Sequence, residues 1–233
     1  MRVDILSLFP ETFSSVLETS MLKKIQDKGL IDIRLSNIRD FSENKQAQVD
    51  DRPFGGGPGM VLMPGPVQRC IENVKQNNSH IVYFSPQGQP LNAKKSKELA
   101  EHPHLVFLCG HYEGIDQRVL DMYVDEELSI GDYVLTNGCL PAMVTLDSLM
   151  RFIPGALGHE EAAQQDSFEK DLLDCPHYTR PDTYNGIIVP DPLRSGNHKS
   201  IAKWRLQQSL EKTRSVRPDL YYRYLGNKQN FQN

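Results

Sequence analysis

HLVFLCGHYEGID (104–116) runs a short apolar stretch straight into a loop that carries two glycines. An apolar run of this length, rich in Val, Leu and Phe and closed by Gly, reads as a β-strand. Three other runs share its character: VDILSLF (3–9), IDIRLSNI (31–38) and HIVYFS (80–85). Helical patterns lie between them. ETFSSVLETSMLKKIQDKG (11–29) ends on Gly29 as a helix should, PGPVQRCIENVKQ (64–76) follows, and NAKKSKELAEH (92–102) opens with Asn92 as its N-cap. Strands alternating with helices imply an α/β domain built on a mainly parallel sheet with helices on both faces. ELSIGDYVL (127–135) reads as a further strand, followed by the helix PAMVTLDSLMRFI (141–153).

Beyond Pro154-Gly155 the texture changes. GALGHEEAAQQDSFEKD (155–171) is polar and small, with too little apolar content for a core element, and reads as a linker. SGNHKSIAKWRLQQSLEKTR (195–214) then forms a helix that Ser195 or Asn197 can cap, with Ala202, Leu206 and Leu210 in one stripe and Lys199 and Lys203 on a shared face. PDLYYRYL (218–225) starts a last helix on Pro218. The expected domains are therefore a sheet domain over 1–158, a flexible linker over 159–176 and a small helical domain over 177–233.

Bulk properties narrow the function classes. The chain has 233 residues, enough for a large and a small domain. Mean hydropathy is −0.49, and no apolar run approaches the ~20 residues that span a bilayer. MRVDILSLFPETF lacks the long apolar region of a signal peptide, so the expected location is the cytoplasm, with no membrane partner. Cys70, Cys109, Cys139 and Cys175 form no CxxC pair, which leaves zinc and redox motifs unsupported and reads as reduced, packed thiols. The net charge of −4 conceals a split: residues 195–233 carry eight Lys/Arg against two acids, a net of +6, so the rest sums to −10. A basic tail on an acidic body suits a polyanionic partner, although a solvated helix face has the same composition.

Candidate ligand loops follow the strands, since open parallel sheets bind ligands beyond the carboxyl ends of their strands. SPQGQPL, GHYEGID and IGDYVLTNG each hold at least one Gly that lets backbone approach a flat ligand, and Tyr83, Ile130 and Leu135 offer apolar walls. DDRPFGGGPGM (50–60) is glycine-rich but lacks the Gly-Lys-Ser/Thr ending of a P-loop, and Met60 stands where a dinucleotide fingerprint needs its last glycine. Pro53 and Pro58 also remove two donors, so the stretch reads as a rigid, close-approach surface. LFPETF after the first strand likewise argues against a dehydrogenase, which would carry GxGxxG there. A non-catalytic RNA-binding protein would explain the tail but not the three loops.

DDRPFGGGPGM, SPQG, CGHYEGID, SIGDYVLTNG, PAM, RFIPGALG, DSFEKDLLDCPHYTRP and GNHKSIAKWR, in this order, resemble the bacterial tRNA (guanine-N1)-methyltransferases of the SPOUT class, from about Leu6 to Arg217. The resemblance implies a deep trefoil knot in the α/β domain, a helical C-terminal domain that binds the anticodon stem-loop of tRNA, and a homodimer with composite active sites. It implies methylation by S-adenosylmethionine of N1 of the guanosine 3′ to the anticodon, which guards the reading frame. Another SPOUT enzyme acting on a different tRNA or rRNA position is the nearest rival.

Carried over by position, the resemblance places the methyl donor among Tyr83, Pro86, Gly110, Ile130, Tyr133, Leu135 and Gly138, with Glu113 beside its sulfonium end. Asp166 and Arg151 match the catalytic pair, and Pro58 and Gly59 would shape the guanine slot. Asp50, His177, Lys199 and Arg205 are the further tRNA contacts, and Glu113, Asp166 and Asp174 are the acids that would hold Mg²⁺. The roles suit the chemistry: N1 of guanine bears a proton that a carboxylate can take, and charge then builds on the carbonyl oxygen, where a guanidinium stabilises it. Each residue also has an ordinary role. Asp166 could cap a helix starting at Ser167, Arg151 could offset a helix dipole, and Asp50 could close an ion pair with Arg52. The chain departs from the resembling family at Asn137 and Cys139, where two glycines and an acid are usual, at KQAQ (45–48), where basic residues are common, and at His111, where Arg is common.

Overall fold

The computed structural model describes residues 1–158 and 166–230; residues 159–165, the first part of the expected linker, lie outside the described residues. It divides into two compact units, Met1–Gly158 and His159–Asn233.

The strands of the first unit, in chain order, are β1 (Arg2–Ser7), β2 (Asp32–Asn37), β3 (Asp50–Asp51), β4 (Val61–Leu62), β5 (Ser79–Pro90), β6 (His104–Leu108) and β7 (Glu126–Ser129). β3 and β4 form an antiparallel ribbon; the other five make one sheet in the order β2-β1-β6-β5-β7. Every neighbouring pair in that sheet is parallel, as the alternation of strands and helices requires. The intervening helices are α1 (Ser14–Leu17), α2 (Ser20–Asp27), α3 (Pro64–Val74), α4 (Ala93–Ala100), α5 (Gln117–Tyr123) and, after β7, α6 (Cys139–Met150).

The period of two along each strand feeds two separate cores. Val82, Phe84, Leu105 and Phe107 pack with Ile25 of α2, Leu99 of α4 and Leu146 of α6, and Phe84 meets Phe107 edge-on at 5.1 Å. Ile81, Tyr83, Val106 and Leu108 face the other way onto Val67 and Ile71 of α3 and Val119 of α5. Each such side chain contributes roughly 1.5–3 kcal/mol on burial. At the amino ends of the strands a buried polar chain ties three of them together: Ser79 Oγ lies 2.8 Å from His104 Nδ1, and His104 Nε2 lies 2.7 Å from Asp4 Oδ2. Arg2 Nε donates to the same carboxylate at 2.6 Å.

Three expectations need correction. The single helix over 11–29 is instead a 3₁₀ turn (Pro10–Phe13), α1 and α2, broken at Ser20, whose φ is 50°. Ser and Thr compete for backbone bonds here, and Thr19 Oγ1 donates to the Ser15 carbonyl at 2.7 Å. Gly29 does follow α2 with φ 68°. The strand expected over 127–135 stops at Ser129: Ser129 Oγ donates to the Gly131 carbonyl, Gly131 takes φ 154°, and the rest is loop. α6 starts at Cys139, two residues before Pro141. Asn137 Oδ1 accepts the Cys139 N–H at 2.9 Å, and Pro141 is tolerated because first-turn N–H groups have no intrahelical partner.

The second unit holds a hairpin, β8 (Thr183–Tyr184) with β9 (Ile187–Ile188), and the helices α7 (Asp191–Arg194), α8 (His198–Val216) and α9 (Pro218–Asn230). Asn197 caps α8, its side chain accepting from Lys199 and Ser200 N–H. The described part of the expected linker, 166–176, is bonded to these helices: the Leu173 N–H donates to Thr213 Oγ1 at 2.9 Å, and Asn227 Nδ2 donates to Asp171 at 2.9 Å. Leu172 and Cys175 are buried. No helix starts at Ser167, where the chain makes turns. Among the described residues no helix is long and apolar enough to cross a membrane.

Candidate active site

The irregular stretch of β5 at 85–88, where its register against β7 shifts, and the loops that leave the carboxyl ends of β6 and β7 line a cavity of about 320 Å³. Tyr83, Pro86, Gly110, Glu113, Ile130, Tyr133, Leu135 and Gly138 all line it, so the structure gathers every residue expected beside the methyl donor into one place. Glycines set its shape. A Cβ on Gly110 would meet Tyr83 Oη at 3.0 Å, and a Cβ on Gly138 would fall 2.9 Å from Cys109 Cα. The Gly138 N–H donates to the Gly110 carbonyl at 2.9 Å, and His111 and Asn137 form an antiparallel bridge beside that bond. The Asn137 side chain holds this turn by accepting the Cys139 N–H.

Burial first, and then the Glu127 carboxylate, pushes the Tyr83 hydroxyl up to about 12, so it stays a neutral donor. Burial, and then the Arg39 guanidinium, pushes the His111 imidazole below its ordinary value, and its Nδ1 is buried without a hydrogen-bond partner among the described residues. Glu127 is a residue that sequence reasoning passed over. It sits opposite Tyr83 in the β5–β7 register and lines the cavity, while its neighbour Glu126 turns to His80 and Lys95. Strand alternation was the signal, since consecutive acids in a strand must face opposite ways.

The glycine-rich loop is the tip of the β3–β4 ribbon, in which Asp50 pairs with Leu62. Gly55, Gly56, Gly57 and Gly59 all take positive φ, which only glycine adopts readily. The returning strand is bonded to the cavity: the Glu113 N–H donates to the Met60 carbonyl at 3.0 Å and the Leu62 N–H to the Gly114 carbonyl at 3.0 Å. Pro58 and Gly59 thus precede a strand stitched to the Glu113 loop, and Gly59 lies against the Glu113 side chain. The loop's residues, Pro58 and Gly59 included, lie outside the lining of the cavity, and β4 separates them from the start of α3, so they form no phosphate cradle at a helix start.

Arg151 follows α6 as its C-cap in the first unit. In the second unit a cavity of about 220 Å³ brings Asp166 together with Asp174, His177 and Arg205. His177 Nε2 lies 2.7 Å from Asp174 Oδ2, and the Cys175 N–H donates to Asp174 Oδ1 at 2.7 Å. Burial opposes ionisation of Asp174, but these hydrogen bonds outweigh it and hold the carboxyl below its ordinary value. Lys199, on α8, lies outside this cavity.

Asp174, Cys175 and His177 place one ligand atom each within 4.8 Å of one another. This set does not fit Mg²⁺, which takes oxygen ligands, and both Asp174 oxygens already accept hydrogen bonds. The acids expected to hold Mg²⁺ are divided between the units, Glu113 in the first and Asp166 and Asp174 in the second.

Comparison with known proteins agrees with this architecture. A family model described as tRNA (Guanine-1)-methyltransferase TrmD matches residues 1–223. The chain is 61% identical over 220 residues to the tRNA (guanine-N(1)-)-methyltransferase of Protochlamydia amoebophila, covering 94% of this chain and 99% of that protein. It is 56% identical over 230 residues to the protein of the same name from Chlamydia abortus, covering 99% of this chain but 64% of that protein. A match along nearly the whole length, with this identity, establishes that the chain belongs to the tRNA (Guanine-1)-methyltransferase TrmD family, of the SPOUT class.

Proposed function

We propose that the protein transfers a methyl group from S-adenosylmethionine to N1 of the guanosine 3′-adjacent to the anticodon of tRNA, in the cytoplasm, and so guards the reading frame. The observation that carries the reading is the cavity at the carboxyl edge of the sheet, where three glycine-bearing loops offer close backbone and the neutral Tyr83 hydroxyl. That arrangement suits an adenosine held by main-chain groups between apolar walls. S-adenosylmethionine brings a methyl group already activated as a sulfonium, so no protein nucleophile is required.

The chain's own groups then have to manage a proton and a charge. Asp166 takes the N1 proton as general base, and Arg151 stabilises the charge that spreads to the guanine carbonyl oxygen. Pro58 and Gly59 wall the guanine slot. His177, Arg205, Lys199 and Asp50 contact the anticodon stem-loop, and the basic α8 and α9 hold its phosphates. We further infer a knotted chain path and a homodimer in which Asp166 of one subunit serves the donor cavity of the other.

Incubating the protein with methyl-labelled donor and total tRNA, followed by nucleoside mapping, tests the reading. Label on N1 of the guanosine next to the anticodon is the expected result. Label in rRNA, on ribose or at another tRNA position would favour a different SPOUT activity and overturn it.

A further inference from the structure

Cys109 and Cys139 adjoin Gly110 and Gly138, two residues of the donor cavity whose backbones are bonded to each other. From the antiparallel bridge between His111 and Asn137, one step inward is the 2.9 Å bond between the Gly138 N–H and the Gly110 carbonyl. The pairing stops there, because Gly138 is the N-cap of α6 and Cys139 its first residue, but the Cys109 and Cys139 side chains are hydrogen-bonded to each other. The hypothetical Gly138 Cβ, 2.9 Å from Cys109 Cα, shows how closely the two segments run. Both cysteines are buried in the same core cluster, and Cys139 Sγ lies 3.2 Å from Ser7 Oγ.

We propose that Cys109 and Cys139 are a modification site: a peroxide converts them to a reversible disulfide that clamps two walls of the donor cavity together. The two thiols differ in the way the reaction needs. Hydrogen bonding from Cys109 first, with a further bond from Ser7, overcomes burial and brings the Cys139 thiol down to about 7. Burial pushes Cys109 well above its ordinary value, so it keeps its proton. The Cys139 thiolate attacks one oxygen of hydrogen peroxide; the O–O bond breaks, a sulfenic acid forms, and the departing hydroxide takes a proton to leave as water. The Cys109 sulfur then displaces the sulfenic hydroxyl, and its own proton completes a second water. Two thiols are oxidised, one peroxide is reduced, and the balance closes. Among the described residues Cys70 shares its core cluster with no other cysteine, and burial drives its thiol up to about 12.

The test is hydrogen peroxide treatment of the purified protein, followed by alkylation of remaining thiols under denaturing conditions and peptide mass mapping. The expected product is one linked pair of peptides, containing Cys109 and Cys139, lighter by two hydrogens and restored by dithiothreitol. Cys109→Ser and Cys139→Ser should each abolish that pair, while Cys70→Ser should leave it. Wild-type protein decides the matter even if a variant fails to fold. Oxidation of Cys139 to sulfinic acid without a link, a link to Cys70 or Cys175, or both thiols still alkylatable after peroxide would each overturn the proposal.

Discussion

Gly59 lies against Glu113: a Cβ on Gly59 would sit 2.8 Å from the Glu113 carboxyl carbon. The glycine wall and the donor cavity are thereby coupled through one side chain. Gly59→Ala also forces an L-residue to φ 83°, which costs roughly 1–3 kcal/mol locally. Turnover is expected to fall at least tenfold, while the melting temperature drops only by the several degrees that this cost implies. Steady-state kinetics beside a thermal melt checks this; an equal loss of both would make Gly59 a folding residue.

Gly88 behaves differently. Its Cβ would fall 2.5 Å from the Glu127 carbonyl carbon and the Leu128 nitrogen, both backbone atoms, where the β5–β7 register shifts between Phe84 and Gln89. Backbone cannot swing aside as a side chain can, so Gly88→Ala is expected to cost about 1–3 kcal/mol of global stability, read as a lower urea midpoint.

Asp166→Asn should keep donor binding yet lose about 10²–10⁴-fold in single-turnover rate, because an amide cannot accept the N1 proton. Arg151→Lys should fail similarly, since an ammonium lacks the planar two-pronged donor geometry. Near-normal rates in either variant would remove that residue from the chemistry.

Mixing the same two variants tests the shared site. In a heterodimer of Arg151→Lys with Asp166→Asn, composite sites leave one intact pair, formed by the first chain's aspartate and the second chain's arginine. Activity should then return toward half of wild type. Self-contained sites would leave the mixture as inactive as either parent.

His102 stacks on His80 with ring centroids 4.2 Å apart, and burial first, then the His80 charge, depresses its basicity. A depressed folded-state value means the unfolded chain binds the proton more readily. The contribution is complete above the unfolded value of about 6.5 and is lost as pH falls below it. The urea midpoint should therefore drop between about pH 7.5 and 5.5, and His102→Gln should flatten that slope.

Much of the fold was legible because apolar runs force strands inside: Val82, Phe84, Leu105 and Phe107 are buried as their pattern requires. Asn92 and Asn197 announced their helices because a side-chain acceptor satisfies free N–H groups wherever it occurs. Positive φ at Ser20 had no such signal, since it follows from competition among neighbouring hydroxyls. The hairpin over Asn185-Gly186, flanked by apolar residues, carries the ordinary turn signature, which sequence reasoning missed. Site residues on different loops, such as Tyr83 and Gly138, converge only through the resemblance and the folded chain. The Ser79, His104 and Asp4 chain could not have been read at all, because it joins residues from three strands.

The position of β6 has a consequence for how the protein is made. It lies between β1 and β5, both of which precede it in the chain. A nascent chain whose first hundred residues have emerged from the ribosome exposes the flanking strands without the one that must separate them. Until His104–Leu108 emerges, β1 can pair only with β2, and Val3, Ile5, Val82 and Phe84 must wait beside solvent or a chaperone. Early termination or pausing before that point would leave a sticky half-sheet, whereas a pause after it would let the centre close.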